Sequence, residues 1–406
     1  MPRIRLATLA VGVTFALPSA PAAHAQGLLP FDIHDVHSAT LNSNRSVFVS
    51  LPRDYAWSTR RYPVLVLLDA NDTAQFTAAV ANIRFLASRA TIPSLIILGV
   101  ANGKDRTNEL TPPARDSTAK LFPTAGGADA YLRFLTDELI PWADERWRTQ
   151  PMRVLAGHSL GGLFALHAIA KKPDAFRIVI AMSPSIWWND TTAVEEYAQA
   201  ITRETAVKRT LFVTSGGYEG AIDRPTLSFI AKVEAKRPPT LAFAHARYPH
   251  DTHGLTPLPS LLDGLRASFA PISQLSDSSV SSLIDRRVRD TTAWWGLLRD
   301  LDVRYSAGAR SLGMPPELPE RHVDELAGAV EFLSGSKAAL PMRREIVRRF
   351  PASPTAHLGL AQLLLAAADT VPARAEITVA LQAVKPGDPA EERARRMLAA
   401  LDAPKK

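Results

Sequence analysis

Cysteine is absent from all 406 residues. That absence excludes disulfides, thiol catalysis, cysteine-ligated zinc and lipid attachment at an N-terminal cysteine. The chain has to fold on its apolar core alone, which its length permits. Long apolar runs are also scarce. The longest, Leu6 to Leu17, is too short to span a bilayer, and nothing later rivals it. Nor does one sign of charge dominate: 47 Lys and Arg stand against 40 Asp and Glu, a formal +7. No basic stripe is interleaved with aromatics, so nucleic acid is not an expected partner. A mild positive balance serves solubility instead. Zinc, calcium and phosphate-loop patterns are missing, so no metal or cofactor is implied. His34 and His37 are a poor ligand pair, because residues three apart on a strand face opposite sides.

The start of the chain has a different character. Arg3 and Arg5 precede the apolar run, and Ala23-His24-Ala25 offers a small-x-small cleavage site. Residues 1–25 therefore read as a secretory signal peptide cut after Ala25, with a retained anchor as the competing reading. The mature chain is expected outside the cytoplasm, secreted or periplasmic, with no membrane span. Without Arg3 and Arg5 the formal charge falls from +7 to +5.

The most informative stretch is Gly157-His158-Ser159-Leu160-Gly161. It follows the apolar run Val154-Leu155-Ala156 and precedes the helix-like Leu160 to Ile169. A serine between two glycines at a strand-to-helix junction is the pattern of a nucleophile elbow. The turn lifts the serine oxygen above a sheet, and the crowded backbone needs small neighbours. The surroundings suit this. Strands are expected at Thr40 to Leu51, Val64 to Leu68, Leu95 to Val100, Arg177 to Met182, Thr210 to Thr214 and Thr240 to Tyr248. Helical spacing covers Ala74 to Arg89 and Ala128 to Trp142, with a polar loop from Asn102 to about Phe122. The alternation implies an α/β fold with a mainly parallel central sheet covered by helices. The order of parts matches an α/β-hydrolase fold, with the site at the carboxyl ends of the strands.

A serine hydroxyl needs an imidazole to take its proton and an acid to orient that imidazole. The chain order in this fold is Ser, acid, His. His167 lies on the elbow helix and His245 inside a strand, which leaves His250 and His253 in one loop. His253 is favoured because Gly254 leaves room beside it, with His250 as the alternative. The acid should follow the strand Thr210 to Thr214. Glu219 is the first choice there, and Asp223 the reserve. Two backbone N–H groups are needed for an oxyanion hole. Leu160 is expected to supply one and Asn71, after the Val64 to Leu68 strand, the other. Trp187 and Trp188 are candidate walls of a substrate site, and Arg106 a candidate contact for an anionic or catecholate group.

Around Pro271 to Ser282 the composition turns serine-rich, which suggests a boundary. The expected organisation is a catalytic domain over 26–270, a linker over 271–285 and a small all-α domain over 286–406. Within the last, Phe350-Pro351-Ala352-Ser353-Pro354 is echoed by Lys385-Pro386-Gly387-Asp388-Pro389, with prolines 351 and 386 standing 35 apart. A period near 34 with Leu358-Gly359 early and proline at the end resembles a tetratricopeptide repeat, although Val371-Pro372 falls where the usual turn should be. Such a tail would pack on the first domain, self-associate or bind a protein partner.

The run Gly157 to Leu166, with Pro173-Asp174-Ala175-Phe176 and Ser183-Pro184-Ser185-Ile186-Trp187-Trp188, resembles the putative esterase family of α/β-hydrolases. That group includes siderophore esterases of the enterobactin type and esterase D relatives. Pro63 to Asp69 and Arg106 to Pro112 resemble two further family segments, and the resemblance covers roughly residues 30–270. It implies Glu219 as acid, His253 as base, a helical tail and a small-molecule ester substrate. It departs at Ala70, where the family usually has glycine, whose backbone reaches angles that alanine resists. The expected chemistry is serine ester hydrolysis through an acyl-enzyme, on siderophore or short acyl esters. The alternatives are acyl transfer on the same fold and a non-catalytic interaction protein working through its tail.

Overall fold

The computed structural model describes residues 30–56, 58–273, 277–385 and 388–402. The expected signal segment and its cleavage site lie outside the described residues. The strands are β1 (Asp32–Ser38), β2 (Ser43–Ser50), β3 (Tyr62–Leu68), β4 (Ile96–Val100), β5 (Thr149–His158), β6 (Ile178–Met182), β7 (Arg209–Gly216) and β8 (Leu241–Tyr248). They form one eight-stranded sheet in the order β1-β2-β4-β3-β5-β6-β7-β8. β2 is antiparallel to both neighbours, and every pair from β4 onward is parallel.

The uninterrupted apolar run of β3 follows from burial on both faces. Val64, Val66 and Leu68 enter one core, while Leu65 and Leu67 enter the other. The first core meets the elbow helix Leu160–Lys171, which is buried continuously from Leu160 to Ile169. The second meets helices Thr73–Ser88 and Pro257–Phe269 through Phe76, Ile83, Leu261 and Phe269.

Three expectations change at this level. β1 was not anticipated, because only Val36 and Ser38 of its seven residues are buried. An edge strand with so little buried surface carries no apolar period. The helix expected over 128–142 is α-helical over Ala128–Arg133, π-helical over Phe134–Leu139 and α-helical again over Ile140–Arg146. Pro141 follows the wide turn. It cannot donate to an i−4 carbonyl, and the wider turn accommodates it. The polar stretch after β4 holds two short helices, Arg106–Leu110 and Asp116–Leu121.

C-terminal to the sheet, the described residues are helical: Asp277–Asp285, Thr291–Leu312, Glu320–Ser334, Ser336–Arg349, Pro354–Ala366, Thr370–Ala383 and Pro389–Asp402. The stretch expected as a linker thus contains a helix. Trp294, Leu298, Leu301 and Leu326 join the core that holds Phe76 and Phe269, so the helices Thr291–Leu312 and Glu320–Ser334 extend that core. Prolines 319, 354 and 389 recur every 35 residues, each at a helix start. Pro372 falls in the first turn of its helix, where its missing N–H goes unneeded.

Candidate active site

β5 ends at His158 and the helix begins at Leu160, so Ser159 alone makes the turn, with φ 60° and ψ −116°. Two glycines permit it. A Cβ on Gly157 would lie 2.3 Å from the Gly161 carbonyl oxygen. One on Gly162 would lie 2.9 Å from both the Met182 carbonyl oxygen and Pro184 Cα. Ser159 N–H donates to Met182 O (3.0 Å), tying the elbow to β6. Leu160 is the first helical residue, where an N–H has no intrahelical acceptor.

Glu219 and His253 meet above the carboxyl ends of β7 and β8. His253 Nδ1 lies 3.0 Å from Glu219 Oε1, and a carboxylate accepts, so Nδ1 carries the proton and Nε2 the lone pair. The Glu219 side chain is fully buried, and its Oε2 accepts from Gly216 N–H (2.7 Å). Burial pushes the Glu219 carboxyl up, but hydrogen bonds, those from His253 and Gly216 N–H among them, outweigh it and hold the group below its ordinary range. Thr256, fully buried, donates to the His253 carbonyl (3.0 Å) and accepts from Ser183 (2.9 Å), fixing the loop that carries the imidazole.

His158 packs against this assembly, its ring centroid 4.3 Å from that of His253. Burial, and then the neighbouring His253, push its pKa down to about 4, so it stays neutral. Ring and carboxylate atoms of His158, Glu219 and His253 lie within 4.8 Å of one another, a set that could hold a cation. Both Glu219 oxygens already accept hydrogen bonds. Among the described residues, the Ser159 hydroxyl bonds to Ser185 Oγ at 3.3 Å and not to His253.

The alternatives sit elsewhere. His250 is exposed beside Tyr218. Asp223 is engaged by Arg247 (2.8 Å) and Ser215 (2.8 Å). His245 lies on β8 with Glu234 (3.1 Å). His167 is buried between Tyr197 (3.1 Å) and Asp129 (2.7 Å).

After β3, Asp69 takes the left-handed conformation (φ 61°) and Ala70 does not, so alanine in place of glycine is unstrained. Ala70 N–H donates to Val100 O and Asp72 N–H to Asp69 O, while Asn71 N–H between them has no acceptor among the described residues. Arg106 grips Asp69 in a bidentate pair, Nε to Oδ1 at 2.6 Å and a terminal nitrogen to Oδ2 at 2.9 Å. That terminal nitrogen also reaches the His158 carbonyl (3.3 Å). Arg106 is therefore committed to an internal pair and is not a free anion contact. Trp188 is 0% exposed and belongs to the core, which corrects its expected place in a substrate wall. Trp187 is half-buried, its ring tilted at 42° against Phe122 with centroids 5.8 Å apart. Ser185, Ser183, Thr256 and a role for His158 escaped sequence reasoning. The Ser-Pro-Ser element was visible, but nothing in it says which hydroxyl faces the nucleophile.

Comparison with known proteins agrees with this architecture. Residues 38–221 match the family model described as "Putative esterase". Ferri-bacillibactin esterase BesA of Bacillus subtilis is 34% identical over 166 residues, which cover 36% of this chain and 56% of that protein. Siderophore triacetylfusarinine C esterase of Aspergillus fumigatus is 36% identical over 124 residues, 29% of this chain and 41% of that one. The chain thus spans 56% and 41% of the lengths of these relatives. An IroE-like serine hydrolase from Shewanella oneidensis has a TM-score of 0.65 at 23% identity, covering 79% of this chain and 99% of its own, a likeness of fold. The elbow, the eight-stranded order and the family match agree on an α/β-hydrolase fold whose residues 38–221 match the esterase family model.

Proposed function

We propose that the chain is an exported serine ester hydrolase working through Ser159, His253 and Glu219. The observation that carries this is the hydrogen bond from His253 to the buried Glu219 carboxylate, in the same strand-end region as an elbow serine at φ 60°. Ser159 Oγ attacks the ester carbonyl carbon as His253 Nε2 takes its proton, and Glu219 stabilises the resulting imidazolium. Leu160 N–H and Asn71 N–H receive the developing oxyanion. His253 returns the proton to the departing alcohol. Water, deprotonated by His253, then releases the acyl group.

The named activities of the relatives, on ferri-bacillibactin and triacetylfusarinine C, support ester siderophores as the first substrates to try, with short acyl esters beside them. Arg3, Arg5 and Ala23-His24-Ala25 support export. The 35-residue proline spacing supports a repeat-like tail able to carry a partner or a second copy. The test is hydrolysis of ester siderophores and p-nitrophenyl acyl esters by the mature protein and by Ser159→Ala. The proposal requires turnover in the former and a loss of at least about 10³-fold in the folded variant. Equal rates in the two would end it.

A further inference from the structure

One hydroxyl in the site has no part in the triad. We propose that Ser185 donates a hydrogen bond to Ser159 Oγ when that oxygen leaves the acyl group, and so acts in deacylation. The inference rests on Ser159 being the nucleophile. Ser185 Oγ lies 3.3 Å from Ser159 Oγ and has no other hydrogen-bond partner among the described residues. Its own N–H donates to the Ser159 carbonyl (3.0 Å), so one residue holds both ends of the nucleophile.

The hydroxyl is also well fixed. Ser183 sits at φ 42°, its N–H on Thr214 O (3.1 Å) and its hydroxyl on Thr256 (2.9 Å). Pro184 locks its own φ and lies against Gly162. Ser185 is 2% exposed, so water does not compete for its proton. A donor held in advance at a developing charge needs no reorganisation at the moment of reaction.

The two halves of the reaction use this donor oppositely. In acylation Ser159 Oγ is the attacking atom, and a hydrogen bond to its lone pair withdraws electron density from it. In deacylation the same atom leaves. Water oxygen bonds to the acyl carbon while His253 Nε2 takes a water proton. The carbon–Oγ bond then breaks with its electron pair on Oγ, which receives the proton from His253. Ser185 keeps its own proton throughout and stabilises the pair on Oγ until transfer is complete. A neutral hydroxyl bond of this kind is worth roughly 1 kcal/mol, which is about fivefold to tenfold in rate.

The test compares Ser185→Ala with the wild type in two assays. One is the rate of fluorophosphonate labelling, in which Oγ only attacks. The other is the steady state after the burst with p-nitrophenyl acetate, whose good leaving group makes acyl release limiting. The expected result is a steady state about fivefold to tenfold slower, with labelling unchanged or faster. A merely structural role slows both alike, and that result overturns the proposal, as does an unchanged steady state. Ser185→Cys, similar in shape with a weakly donating thiol, carries the same comparison if the alanine variant does not fold. Failure of the wild type to label at Ser159 instead defeats the nucleophile assignment itself.

Discussion

Ser159 occupies a backbone region that costs a residue with a Cβ about 1–3 kcal/mol, and it persists because the surroundings over-determine it. The return is a half-buried serine at a helix N-terminus, directly after His158, whose ring packs against the His253 imidazole that Glu219 holds. Glu219→Gln keeps the shape but removes the charge. Turnover should fall by about 10³-fold or more with little change in melting temperature, read by steady-state kinetics and calorimetry. His158 gives a pH signature. Its pKa is about 4 in the fold against an ordinary 6.5, so the unfolded chain takes the proton first. Stability drawn from the neutral ring is complete above pH 6.5 and is lost as pH falls toward 4. Melting temperature should decline across that window, and less steeply in His158→Gln. At this scale the glycine-flanked turn at Ser159 and the pairing of Glu219 with His253 were legible, because a strand-to-helix elbow restricts residue types. Ser185 and Thr256 were not, because their roles depend on where two loops meet.

Two loops at the element scale decide how the site is held. The segment after β3 owes its shape to Arg106, which pins the left-handed Asp69 and reaches the elbow through the His158 carbonyl. The short helix bearing Arg106 is anchored in turn. Glu109 at its end accepts from Arg45 (2.6 Å) and from Gly103 N–H (3.0 Å). Arg106→Gln should free the loop that presents Asn71 N–H. We expect kcat to fall by roughly tenfold to a hundredfold with KM within a few-fold, read from initial rates on one acyl ester. Buried strands were readable as unbroken apolar runs, and the helix Thr73–Ser88 by its spacing. The π-helical stretch was hidden, because an apolar period continues through it and only Pro141 hints at the change.

The whole molecule is less divisible than its composition suggests. The serine-rich stretch looks like a tether, yet Trp294 is fully buried and shares a core with Phe269 and Phe76. Gly308 presses on Pro271, where a Cβ would lie 2.2 Å from the carbonyl oxygen. Ending the chain after Ser273 would uncover that apolar face. The shortened protein should aggregate or melt well below the full chain, seen by size exclusion and thermal denaturation. Trp294→Ala in the full chain should cost about 3–5 kcal/mol, read by denaturant unfolding. The sequence showed where the composition changes but not what the helices cover, since that depends on which apolar surface the preceding elements leave open. Above all these contacts stands one claim, that Ser159 is an activated nucleophile. Its most direct test is fluorophosphonate labelling of the mature protein, with the modified peptide mapped by mass spectrometry. Stoichiometric modification at Ser159, much slowed in Glu219→Gln, is the expected result. A folded, unlabelled protein, or a label on another residue, would contradict it.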